Sequence, residues 1–81
     1  MSEADYGRLR WHCRRGMKEL DVLLAGWLDQ RYVAESSANQ ELFRQFLELP
    51  DPLIAAYLLG REQSADPAQR WLIEQIRSCR S

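Results

Sequence analysis

The chain has one histidine, two cysteines, and no apolar run near the roughly 18 residues needed to cross a bilayer. Each shortage excludes something. With His12 alone, a Ser/His/Asp triad has a single possible centre, and that residue is flanked by arginines with nothing to orient its ring. Cys13 and Cys79 stand at opposite ends of the sequence and make no disulfide framework. His12 and Cys13 are adjacent, so on a helix they point in different directions, and only Cys79 could add a soft metal ligand. The acidic start, Met1 to Asp5, lacks both a signal-peptide core and an Arg-rich transit pattern, so the expected compartment is a bacterial cytoplasm without membrane insertion. Net charge is −1, from eleven basic and twelve acidic residues. That lacks the basic excess on which broad nucleic-acid binding depends.

What the sequence has is helical periodicity. Its 81 residues allow one domain, residues 1–81, with 46% hydrophobic and 28% charged residues, as in ordinary globular proteins. A chain this short buries only about 60% of the surface it exposes when unfolded, which leaves no room for a deep cofactor-and-substrate pocket.

Apolar residues recur at helical spacing throughout, and nowhere in the strict alternation of a strand. Ser2 is placed to cap a first helix, with Asp5 near the positive end of its dipole. Gly16 interrupts that helix where a turn between antiparallel helices would fall. A second helix carries Leu20, Leu23, Leu24, Trp27 and Leu28 on one stripe. Ser37 with Gln40 predicts the start of a third, bearing Leu42, Phe43, Phe46 and Leu47. Asp51 as N-cap and Pro52 in the first turn predict a fourth, with Leu53, Ile54, Tyr57 and Leu58, ended by Gly60. Asp66, Pro67 and Gln69 open a fifth, with Leu72, Ile73 and Ile76 inside. The expected fold is all-α, a compact five-helix bundle.

At about 100° per residue, Tyr6, Leu9 and Cys13 share the core side of the first helix, while Arg8, Trp11, His12 and Arg15 point away. Trp and Arg are the types most enriched in interface hot spots. Arg14 to Asp21 can also be read as a plain helix corner, with Gly16 shaping the backbone and Glu19 at the next helix start. That accounts for Gly16 and Glu19 but not for Trp11 and Arg15 beside them. Periodicity leaves both readings open. Glu41, Glu48, Glu62 and Glu74 read as a solvated face and not as acid–base machinery. Trp27 reads as core instead of a flavin platform, and the exposure of Trp71 is left open. No Gly-rich loop follows a strand, so nucleotide binding by that route is not expected.

The run Trp11-His12-Cys13-Arg14-Arg15-Gly16-Met17-Lys18-Glu19-Leu20-Asp21 resembles the signature of the succinate dehydrogenase flavinylation factors, the bacterial FAD assembly factor SdhE family and its mitochondrial relatives. The family's Arg-Gly-x-x-Glu motif falls on Arg15, Gly16 and Glu19. Upstream Trp11 and Arg8, the Asp51-Pro52 helix start and the length extend the likeness over most of the chain. Tyr57 departs from it, since relatives often carry Trp there.

The resemblance implies a non-enzymatic helper that docks on the flavoprotein subunit of succinate dehydrogenase, and often on that of fumarate reductase, and promotes covalent attachment of FAD to it. It implies that FAD ends on the partner, with no cofactor held stably by this chain. It marks Arg8, Trp11, Arg15, Gly16 and Glu19 as the contact surface; on helical spacing alone, Glu19 is alternatively placed to hold Arg15 from one turn away. Two rivals stand beside it. One is an antitoxin-like binding module for a membrane-associated toxin. The other is a DNA-binding helix-turn-helix built on the basic stretch from Arg8 to Lys18, opposed by the near-zero net charge and by Glu19 and Asp21.

Overall fold

Capping side chains and left-handed glycines divide the chain into helices, and a shared aromatic core packs them together. The structure, a computed structural model, describes residues 3–79. The described elements are α1 (Glu3–His12), α2 (Lys18–Gln30), a short 3-10 turn (Tyr32–Ala34), α3 (Ser37–Leu47), α4 (Asp51–Leu58) and α5 (Pro67–Ser78), with no strand among them. The Cα radius of gyration is 11.7 Å. A compact chain of this length should show about 12 Å, so the helices form a bundle and not an extended stack. The all-α, five-helix expectation holds.

The helix ends differ in detail from the sequence reading. The cap expected at Ser2 lies outside the described residues. α3 is capped by Ser36, one residue before the expected Ser37; its hydroxyl accepts from the Asn39 N–H at 3.2 Å. Gln40 is not a capping partner, and its side-chain amide donates to the Tyr32 carbonyl. α4 likewise starts one residue early. The N–H groups of Leu53 and Ile54 both donate to the Pro50 carbonyl, which makes Pro50 the N-cap and places Asp51 inside the first turn with no capping bond. The Asp51 carboxylate is thereby left for another partner.

Gly60 closes α4 as expected. At φ +78° it allows the Arg61 N–H to reach back to the Ala56 carbonyl and its own N–H to reach Tyr57, which is the Schellman closure. Asp66 caps α5 through the Ala68 N–H at 3.0 Å. Gln69 acts through an intermediary there: buried Ser64 donates to its side-chain oxygen and accepts from the Asp66 N–H.

α5 lies against α2, α3 and α4, and its Leu72, Ile73 and Ile76 fill the space between them. At the centre, Trp27 stacks on Phe43 with ring centroids 4.7 Å apart and meets Tyr32 edge-on at 6.2 Å. Of the apolar positions expected inside, Tyr6, Leu23, Leu42 and Tyr57 lie at the margin of the core, and Leu53 is half-buried outside it.

α1 contributes Leu9, and Cys13 just beyond it is also buried. Its outer edge is held to α2 by polar contacts. The Tyr6 hydroxyl donates to Asp29, and the Arg10 guanidinium pairs with the same carboxylate. Burial alone would raise the Asp29 carboxyl, but hydrogen bonds from Tyr6 and Arg10, with the charge of Arg10, outweigh it and hold the group below its ordinary value. A carboxyl depressed by folding adds stability that is fully present above its unfolded value, about pH 4, and is lost as pH falls through the lower folded value. Both charged heads are well exposed, so screening keeps the contribution under about 1 kcal/mol. Asp29→Asn is therefore expected to melt slightly below wild type at neutral pH, with the gap closing in melts run below about pH 4. A gap that stays the same in acid would remove this role from Asp29.

Candidate functional site

The corner between α1 and α2 carries all five residues marked in the sequence, but they do not form one face. α1 stops at His12, because the Cys13 and Arg14 N–H groups turn back to Arg10 and Trp11 in tighter, three-residue steps. The chain then passes through Gly16 at φ +76° and enters α2 at Lys18. Helical angles thus hold for Arg8 and Trp11 and lapse before Arg15.

Trp11 is 67% exposed, with the Arg14 guanidinium 5.1 Å from its ring centre in cation–π geometry. Arg8 and His12 are exposed on the same helix and border a groove between α1 and α3, whose other wall includes Tyr32, Gln40, Arg44 and Glu48. Gly16 is exposed, and a Cβ built on it would meet nothing within 4 Å. Glu19 is exposed in the first turn of α2 and borders a different groove, shared with Val22, Leu59 and Arg77.

Arg15 is the correction. It does not point outward with Trp11; its side chain is only 15% exposed. Its guanidinium donates to the Leu47 carbonyl at the end of α3 and pairs with Asp51 of α4 at 3.2 Å, while its backbone N–H donates to Asp21 at 2.5 Å. Glu19, expected to hold it from one turn away, forms no hydrogen bond or ion pair with it; the carboxylates that do are Asp51 and Asp21. The arginine on Trp11 is Arg14. Sequence spacing had no means to find Asp51, 36 residues from Arg15, and the Asp-Pro pair gave it a different role.

Cys13 and His12 are the corner's side chains with nucleophile or base chemistry, and their surroundings differ. Burial pushes the Cys13 thiol up to about 12, against the pull of Arg15 and Arg10, so at neutral pH it is a protonated, 1%-exposed core residue and not a nucleophile. His12 has no hydrogen-bond or ion-pair partner among the described residues that could orient it as a base. No group of three His, Cys, Asp or Glu could hold a metal ion among the described residues. Trp and Arg, exposed here as a stacked pair beside the Gly16 turn, are the residue types most enriched in interface hot spots.

Comparison with known proteins decides the family. Residues 7–80 match the family described as flavinator of succinate dehydrogenase. The chain belongs to that family. Among relatives, the FAD assembly factor SdhE of Shewanella oneidensis is 39% identical over 77 residues, covering 95% of this chain and 94% of its own. That of Coxiella burnetii is 35% identical over 74 residues, covering 91% and 90%. That of Idiomarina loihiensis is 41% identical over 73 residues, covering 90% and 78%. The flavinator match takes in the Arg15-Gly16-x-x-Glu19 corner and all of α2 to α5, in keeping with a likeness that runs over most of the chain.

Proposed function

We propose that this chain is a non-enzymatic assembly factor, a single helical unit over residues 1–81 that works in the bacterial cytoplasm. It binds the flavoprotein subunit of succinate dehydrogenase, and that of fumarate reductase where present, and promotes covalent attachment of FAD to it. The reading is carried by the exposed Trp11–Arg14 stack beside the open Gly16 turn, in a chain of the flavinator family. Arg8 and Trp11 on α1 and Gly16 and Glu19 across the turn meet the partner, with Arg15 behind them. Large, rigid Trp and Arg contacts supply affinity at low entropy cost. The side-chain-free surface at Gly16 lets a partner segment come close. The flavin–protein bond forms in the partner, and this chain holds no cofactor stably.

Purified chain, apo-flavoprotein subunit and FAD are mixed, denatured and separated on a gel, and each band is read for flavin fluorescence. The flavoprotein band is expected to gain fluorescence faster with the chain than without it, while the chain's own band stays dark. No acceleration would overturn the assembly role, and a fluorescent chain band would make it a flavoprotein instead.

A further inference from the structure

A bare turn is useful as a docking element only if its shape is held, and the hydrogen bonds around Arg15 show how. Gly16 leaves the segment from Cys13 to Met17 without a helical ladder, and α2 begins without a side-chain cap. Order in the turn must come from elsewhere. Arg15 supplies it at both ends: its N–H donates to Asp21 of α2, and its guanidinium spans the Leu47 carbonyl and the Asp51 carboxylate at the α3–α4 junction. Leu47 is the last residue of α3, where backbone carbonyls lack helical partners and a cation is favoured. Pro50 occupies the capping position of α4, and the Asp51 carboxylate, in the first turn, is engaged by Arg15. A guanidinium is planar and forked, so two fixed acceptors set its position and hence that of the backbone behind it.

We infer that Asp51 is a positioning residue for the docking turn: it acts through Arg15 to hold Gly16 open toward the partner. This rests on the docking role proposed above for the corner. Arg15 thereby serves the site from inside the protein, as the link between α4 and the turn.

The test is a double-mutant cycle on the full chain, reading affinity for purified apo-flavoprotein subunit at a temperature where every variant is folded. Asp51→Ala and Arg15→Ala are each expected to weaken binding roughly tenfold, and the double variant no further than either alone. Asp51→Asn, which keeps an oxygen acceptor without the charge, should fall between wild type and Asp51→Ala. Ile76→Val, a core change that lowers the melting point, should bind as wild type does, which separates positioning from general loss of stability. If Asp51→Ala binds normally while Arg15→Ala does not, or if the two losses multiply in the double variant, Arg15 works independently of Asp51 and the inference fails. The Gly16 amide resonance gives a reading that needs no partner: it should shift in Asp51→Ala, and an unmoved resonance also overturns the inference. A wild-type chain that does not bind the subunit sinks the docking role and leaves the resonance to decide the positioning.

Discussion

Trp27→Ala is expected to bring the domain to the edge of unfolding, with a loss of about 3–5 kcal/mol. The indole is fully buried, stacked on Phe43 and edge-on to Tyr32, so truncation empties the place where α2, α3 and the 3-10 turn meet. A domain of this size has roughly 4–12 kcal/mol in total, so the loss removes much or all of it. Where a transition survives, its midpoint should fall by roughly 12 °C or more. The indole N–H is buried without an acceptor among the described residues. Trp27→Phe, which keeps an aromatic ring and drops that unpaired donor, should therefore cost clearly less than Trp27→Ala. Trp11→Ala, at an exposed position, should cost under about 1 kcal/mol and act on binding instead. Thermal melts of the three variants check this, and equal destabilisation at Trp11 and Trp27 would refute the separation of core from surface.

That contrast was legible in the sequence because both tryptophans sit within regular helix, where 100° per residue holds and neighbours two turns away share a face. The buried stripes of α2, α3 and α5 were legible for the same reason. Asp66-Pro67 could also be read directly, since its cap involves atoms two residues apart. Two helix starts lie one residue early: Ser36 and Ser37 are equivalent caps that local preference does not separate, and at α4 Pro50 holds the N-cap position although Asp51 is the better capping residue. Arg15 failed differently. Helical angles would reach Arg15 only if α1 ran on to Gly16, whereas the ladder tightens and stops at His12. Beyond that point the direction of a side chain depends on which distant acceptors await it, here the Leu47 carbonyl and Asp51. Neither lies at a spacing that sequence periodicity can reveal. The motif names a segment, and the structure separates its residues that face outward from the one that faces in.

Gly16 is where conformation and contact make separate demands, and the second large effect is expected there. Its φ of +76° is a left-handed conformation that costs an L-residue about 1–2 kcal/mol, so any ordinary side chain carries a penalty whatever its size. The space around it is open, with nothing within 4 Å of an added Cβ, so bulk itself costs the isolated fold little. Gly16→Ala and Gly16→Arg should therefore lose similar stability, each melting roughly 4–16 °C below wild type but still cooperatively. Gly16→Asn, a residue that tolerates the left-handed region, should melt closer to wild type than either. Binding should rank them differently. Ala adds one methyl group to the surface and should retain most of the flavinylation-promoting activity at a temperature where all variants are folded. Arg extends a long charged chain across the turn and should abolish it by keeping the partner away. If Ala and Arg lose activity together, Gly16 serves through its backbone shape alone. If Arg remains active, the turn is not at the contact. If Arg melts far below Ala, the side chain collides with the fold itself, and the open surface assigned to Gly16 is wrong.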